Sequence, residues 1–252
     1  MSKIVSVHSF RGGTGKSNTT ANLAALLAQQ GFRVGVVDTD IASPGIHVLF
    51  NFDEAEMIHS LNDYLWGKCS IKETAHDVSG RLGAEIKGQI FLIPSSIKAG
   101  EIARIIREGY DVGLLNDGFR DLVRDLKLDF LMIDTHPGLN EETLLSLAIS
   151  NTLIIIMRPD QQDYQGTAVT VDVARKLDVP NMMIVVNKAP SVLDFDDVRE
   201  RVTQTYNATV GAILPHSDEM MILASSGIFA LKYPDHPITQ SLKRIVEELK
   251  VK

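Results

Sequence analysis

Short, almost unbroken apolar runs recur along the chain, and the stretches between them carry apolar residues at three- and four-residue spacing. The runs cover 3–8, 33–37, 90–94, 130–133, 152–157, 182–186 and 210–214. Each is strand-length, and most are filled with Val, Ile, Leu and Met at consecutive positions, the pattern of strands covered on both faces. The stretches between them read as helices. One of these, "KSNTTANLAALLAQQG", ends at Gly31, a residue suited to a helix C-terminal cap. Strands alternating with helices require right-handed crossovers and a mostly parallel sheet. The expected fold is therefore α/β, a doubly wound, mostly parallel β-sheet flanked by helices on both faces. Segment 51–87 is the least regular and reads as helices and loops over one sheet edge. No repeat, low-complexity tract or Pro/Gly/Ser linker divides the chain, so a single domain is expected over 1–252.

Composition adds limits rather than a function. A chain of 252 residues, 44% of them apolar, can bury a large core without a covalent staple. The formal charge of −7 argues against a surface coated in positive potential, though not against a local basic patch. Cys69 is the only cysteine, which excludes a disulfide framework and any thiol pair within one chain, and a reducing compartment is the simplest reading. The opening "MSKIVSV" runs straight into strand-like sequence without the features of a signal peptide. The run "TLIIIM" is strand-sized, and no apolar run approaches the length of a bilayer. A soluble cytoplasmic protein is expected.

The chemistry concentrates in "HSFRGGTGKSNTT", directly after the first predicted strand. Glycines there let backbone N–H groups converge on an anion, and the helix N-terminus behind them adds donors and partial positive charge. Lys16 would reach the β- and γ-phosphates of a nucleotide, and the Ser17 hydroxyl would ligate magnesium. The usual phosphate-loop pattern has glycine where this chain has Phe10. A second piece, "VGVVDTD", places Asp38 and Asp40 two residues apart at a strand end, so both face one crevice if the strand persists. A third, "FLMIDTHPG", ends a buried strand on Asp134, the position of a magnesium-coordinating acid. Turn chemistry alone explains either acidic strand end taken singly. The three elements together, in this order, point to a nucleoside triphosphate and magnesium.

Across nearly its whole length the sequence resembles the ParA/MinD family of deviant Walker-A ATPases. The likeness runs from "RGGTGKS" through "DTD", "DTHPG" and "VVNK" to "LPHSDEMMILASSG" and the closing "YPDHPITQSLKRIVEELK". It implies ATP or ADP with Mg2+, bound by Arg11, Gly12, Gly13, Thr14, Gly15, Lys16, Ser17 and Asn18. It implies metal coordination by Ser17, Asp38 and Asp134, and catalysis by Lys16, Arg11 and Asp40, with Asp40 positioning the attacking water. Asn187 and Lys188 would meet the adenine base, with Pro215 beneath the ring. In that family two subunits sandwich two nucleotides, and a signature lysine reaches the partner's phosphates. Arg11 stands at that position, where it acts as a trans finger, binds phosphate in cis or pairs elsewhere. Asn18 replaces a frequent hydroxyl residue and retains an amide donor for the α-phosphate.

The resemblance implies a slow ATPase that dimerises with ATP, answers to a protein activator or adaptor, and positions a cargo such as a plasmid, chromosome region, division component or large assembly. Two alternatives remain at this stage: a metabolic enzyme activating a small carboxylate, like the amidoligases of related fold, and a nucleotide-binding scaffold with little hydrolysis. In the final helix Ile238, Leu242, Ile245, Val246 and Leu249 form one stripe suited to packing on the domain. Only Val251 and Lys252 lie beyond it, so no membrane anchor is expected. Non-specific DNA binding, with association to the nucleoid, would draw on Arg104, Arg107, Arg120 and Arg124, although acids among them favour a solvated mixed-charge surface. The lone Cys69 disfavours an iron–sulfur carrier role. His8 reads as a packed core histidine, His136 as a γ-phosphate sensor or, more simply, a bulky switch-loop residue, and Met182, Met183, Met220 and Met221 as core filler. Arg158 either touches a partner or pairs with Asp160.

Overall fold

The computed structural model of the chain describes residues 2–251. β1 (Lys3–His8), α1 (Lys16–Gln29), β2 (Arg33–Asp38) and the short α2 (Ile46–Leu49) come first. α3 (Leu61–Leu65), β3 (His76–Asp77), β4 (Gln89–Ile93), α4 (Ala99–Glu108) and α5 (Gly113–Asp125) follow. β5 (Phe130–Asp134), α6 (Glu141–Ala148), β6 (Thr152–Met157), α7 (Gln161–Lys176), β7 (Asn181–Ala189), α8 (Phe195–Tyr206) and β8 (Thr209–Pro215) continue the alternation. α9 (Asp218–Leu223), α10 (Phe229–Lys232) and α11 (Pro237–Val251) close it.

The strands form one sheet in the order β3-β4-β2-β5-β1-β6-β7-β8, parallel throughout except where β3 joins β4. All seven expected strands are present. β2 and β5 each run one residue further than the apolar pattern, into Asp38 and Asp134, and the register sets these two residues side by side. Segment 51–87 holds the short helical turns expected of it, but also β3, which the sequence reading missed. Two residues, His76 and Asp77, give no period to detect. From β1 the chain crosses to β2 on one side, and from β5 it later crosses past β1 to β6 on the other, so the strand order reverses around β1 and a crevice opens at the carboxyl ends of the strands.

Each face of the sheet is covered. Val5, Val7, Val34 and Val36 pack beneath α1, α10 and α11, and the stripe Ile238, Leu242, Ile245, Val246 and Leu249 is buried there as its spacing predicts. On the other face α5 lies over Leu131 and Ile133, while α7 and α8 lie over Ile155 and Ile184. Between these two clusters β1 presents Ser6 rather than a branched apolar chain. The Ser6 hydroxyl donates to the Ser146 carbonyl of α6 at 3.1 Å and accepts from Ser150 Oγ at 2.7 Å. Small hydroxyl side chains therefore fill the seam with their hydrogen bonds satisfied. Gly31 sits just past α1 at φ 100°, the left-handed cap expected of it.

Replacing Leu242, 1% exposed, with alanine should cost about 2–5 kcal/mol of folding stability. Val251→Ala, at a position 88% exposed on the same helix, should stay within ~0.5 kcal/mol. Urea denaturation midpoints of the two variants check the difference.

Candidate functional site

The loop after β1 adopts backbone angles that side chains resist. Gly13 and Gly15 have φ of 74° and 102°, in the left-handed region. A Cβ at Gly15 would also stand 2.3 Å from Asn187 Nδ2, so glycine is required there twice over. Gly15 caps α1 without a side chain, which leaves the first-turn amides free of any side-chain acceptor. That is the arrangement an anion fills. Phe10, the departure from the usual pattern, is accommodated by Gly166 of α7. A Cβ at Gly166 would come 2.2 Å from the Phe10 ring, so the missing glycine of the loop is matched by one on the helix beneath.

β7 braces this loop from the side. Asn187 Nδ2 donates to the Thr14 carbonyl at 2.8 Å, and Lys188 Nζ to the Gly13 carbonyl at 2.8 Å. Asn187 Oδ1 accepts from Lys188 N at 2.9 Å. Lys188 has φ 55°, where β7 slips register against β8, and this local irregularity turns both side chains toward the loop. The predicted base-binding pair therefore has a structural role that the sequence did not reveal. Asn22 is a second such residue: its Oδ1 accepts from Ala230 N at 2.6 Å and ties α1 to α10.

A cavity of about 590 Å3 opens here, lined by Gly13, Gly15, Lys16, Ser17 and Asn18 and, opposite them, by Asn187, Lys188 and Pro215. Met220 and Met221 line it too, which corrects their assignment to the core. Met220 does rest on the core, but Met221 is 64% exposed at the rim. The run "MMIL" holds more consecutive apolar surface than one turn of α9 can bury, and that was the available signal.

Behind Lys16 lie Asp38 and Asp134, both buried. Burial first, and then the neighbouring Asp134, drive the Asp38 carboxyl well above its usual range. Asp134 is raised to about 6, chiefly by burial, against the pull of Lys16 and of the Ser17 and Thr20 hydroxyls. Asp38 is held through Oδ1 by Asp40 N at 3.0 Å and through Oδ2 by Gly45 N at 3.1 Å. Two adjacent carboxylates in a low-dielectric setting are short of positive charge, which a divalent cation supplies. Thr14 Oγ1 is buried in the loop with no partner among the described residues, an orphan hydroxyl that a phosphate oxygen would satisfy by accepting its hydrogen. The residues present fit a magnesium–polyphosphate group.

Asp40 arrives at the site differently from expectation. β2 ends at Asp38, so strand alternation does not aim the two acids together. A turn does so instead: Asp40 Oδ1 accepts from Ser43 N at 3.1 Å and from His136 Nδ1 at 2.7 Å. His136, read from the sequence as switch-loop bulk or a γ-phosphate sensor, thus touches a candidate catalytic acid. His8 is buried as expected, with Nδ1 2.8 Å from Thr135 Oγ1. Burial first and the Lys16 charge second push its pKa down to about 3, so it is neutral at physiological pH.

Arg11 points away from the cavity. Its Nη1 lies 3.3 Å from Asp163 Oδ1 and 3.5 Å from Asp160 Oδ1, at the start of α7. Arg158 shares both acids, 3.1 Å from Asp160 Oδ2 and 3.4 Å from Asp163 Oδ2, so of its two alternatives the pairing with Asp160 is present. Arg104 and Arg107 both pair with Glu108, and Arg124 pairs with Asp121 and Asp125. These are exposed mixed-charge surfaces. Cys69 is half-buried in the turn after α3 and does not line the cavity.

Comparison with known proteins places this architecture. The ParA family model, described as NUBPL iron-transfer P-loop NTPase, matches residues 1–250, and the chain belongs to this family. Over 250 residues it is 26% identical to an uncharacterized ATP-binding protein of Methanocaldococcus jannaschii, covering 99% of this chain and 88% of the relative. It is 24% identical to an iron-sulfur cluster carrier protein of Pyrococcus horikoshii, covering 97% and 84%. Its fold matches that of the septum site-determining protein MinD of Pyrococcus horikoshii, solved with Mg-ADP. The TM-score is 0.80 at 21% identity, over 99% of this chain and 96% of the other.

The raised pKa of Asp134 carries a sign that can be tested. The folded chain holds this proton more tightly than the unfolded chain, so stability falls as pH rises from about 4 to beyond about 6. Asp134→Asn removes that cost. The nucleotide-free variant should be ~1–3 kcal/mol more stable than the parent at about pH 7.5, with the gain closing toward pH ~4. Urea denaturation across that range measures it.

Proposed function

We propose that the chain is an ATP-binding, slowly hydrolysing dimerisation switch, a dimer with ATP and a monomer with ADP or empty. The observation that carries this reading is the buried Asp38–Asp134 pair set behind a braced phosphate loop at the carboxyl ends of the central strands. Gly12, Gly13, Thr14 and Gly15 supply backbone donors to the phosphates, Lys16 neutralises the β- and γ-phosphates, and Asn18 reaches the α-phosphate. Ser17, Asp38 and Asp134 hold magnesium, which when bound neutralises the charge developing on the phosphates. Asp40 orients the attacking water. Lys188 and Pro215 frame the base, and Asn187 keeps one amide hydrogen beyond its bond to Thr14 for the base edge.

Arg11 gives the switch its trans element. The guanidinium is 37% exposed and held by long contacts to Asp160 and to the buried Asp163, and because Arg158 also pairs with both acids, Arg11 can leave for a partner's phosphates without stripping either acid of its counter-charge. The cargo belongs to the class positioned by MinD-like and ParA-like switches in the cytoplasm, with a protein activator setting the rate. The exposed arginines leave non-specific DNA a place among the surfaces patrolled. The apolar stripe of α11 is committed to the core, which argues against membrane recruitment through that helix.

Iron transfer is the second reading, favoured by the description of the family model. Against it stands the single cysteine, which supplies one thiolate per chain and lies away from the cavity. A cluster would have to draw its remaining ligands from elsewhere.

Sedimentation with Mg·ATP and with Mg·ADP tests the switch. The parent should dimerise with ATP alone. Arg11→Ala should lower dimerisation and turnover at least ~ten-fold while monomer affinity for ATP changes by less than ~two-fold, and Arg11→Lys should restore most of both. A parent chain that stays monomeric in saturating Mg·ATP contradicts the reading. Lost nucleotide affinity in dilute Arg11→Ala assigns the arginine to its own site.

A further inference from the structure

We propose that His136 is a positioning residue for ATP hydrolysis, fixing the carboxylate of Asp40 through its Nδ1–H. The inference rests on the ATPase reading above and on Asp40 as the group that orients water. Asp40 Oδ1 already acts as an acceptor toward a backbone N–H, so the 2.7 Å contact between His136 Nδ1 and Asp40 Oδ1 makes Nδ1 the ring nitrogen that carries the hydrogen. Ser43 N donates to the same oxygen at 3.1 Å. With both donors on Oδ1, the carboxylate is locked about its last torsion and Oδ2 is left to accept from water. The backbone of Asp40 is fixed independently by its N–H to Asp38 Oδ1 at 3.0 Å.

His136 is itself held in place. It follows the end of β5 by two residues, and its carbonyl accepts from Thr143 Oγ1 at 3.3 Å. Thr143 is in turn fixed by the α6 cap, where Asn140 Oδ1 accepts from its N–H at 2.9 Å. The pair is partly shielded, with side chains 31% exposed for His136 and 16% for Asp40, so water reaches the carboxylate while bulk solvent does not surround it. A terminal carboxylate torsion is broad when left alone. The histidine narrows it, as an outer partner does for a metal ligand or for a catalytic base.

The test compares three substitutions at His136 with Asp40→Ala, under saturating Mg·ATP. His136→Ala should lower kcat about ten- to hundred-fold with KM and ATP affinity within ~two-fold. His136→Asn retains an N–H donor near the Nδ1 position and should recover turnover to within about three-fold of the parent. His136→Phe retains the bulk without the donor and should remain as slow as the alanine variant. In the nucleotide-free protein, nitrogen NMR of the imidazole should show the Nδ1–H tautomer in the parent and its loss in Asp40→Ala. Parental turnover in His136→Ala, or rescue by phenylalanine as good as by asparagine, overturns the inference, as does an Nε2–H tautomer in the parent. Parental turnover in Asp40→Ala overturns the assignment of Asp40 itself, an outcome distinct from failure at His136.

Discussion

Asp38 and Asp134 end two adjacent parallel strands in register, buried beside one another with their pKa values raised. Nothing about folding favours such a pair, since desolvation and mutual repulsion act in the same direction. The arrangement makes physical sense only as preparation for positive charge. Lys16 supplies part of it, and the backbone donors to Asp38 relieve more. The remainder matches a divalent cation carried with a polyphosphate. The sheet topology sets this site, because β1 stands between β5 and β6 and its loop opens over the ends of its neighbours.

The loop does not hold its shape alone. Gly15 approaches Asn187 so closely that no side chain fits between them, and Lys188 adopts a left-handed backbone to reach the Gly13 carbonyl. Strain at such a position persists where the surrounding structure determines it. Phe10 and Gly166 form a comparable complementary contact on the other flank. The cradle is therefore rigid on both sides, while Arg11, on the same loop, is a partly exposed side chain held by long ion pairs to two acids of α7 that Arg158 also holds. Fixed backbone for the nucleotide and a releasable side chain for a partner are different mechanical demands, and one loop meets both.

Much of this was legible in the chain. Strands buried on both faces leave consecutive apolar residues, so seven of them declare themselves without any periodicity. The glycines, Lys16 and Ser17 declare themselves because their spacing is dictated by phosphate geometry. What stayed hidden is tertiary. β3 is too short to carry a pattern, and its pairing depends on β4 rather than on its own two residues. The contact between Asp40 and His136 joins residues far apart in sequence through a turn that strand alternation does not describe. The bracing role of Asn187 was invisible for the same reason: an asparagine at a strand end looks alike whether it faces a base or a loop carbonyl.

The central claim is that the crevice is electrostatically incomplete until a magnesium–nucleotide fills it. Calorimetric titration of the nucleotide-free chain with ATP, once with magnesium and once with a chelator in excess, tests this most directly. The account predicts tight binding with magnesium and a loss of at least about ten-fold in affinity without it, because the buried acids then face the phosphates uncompensated. Equal affinity in the two titrations, or no binding in either, would contradict it.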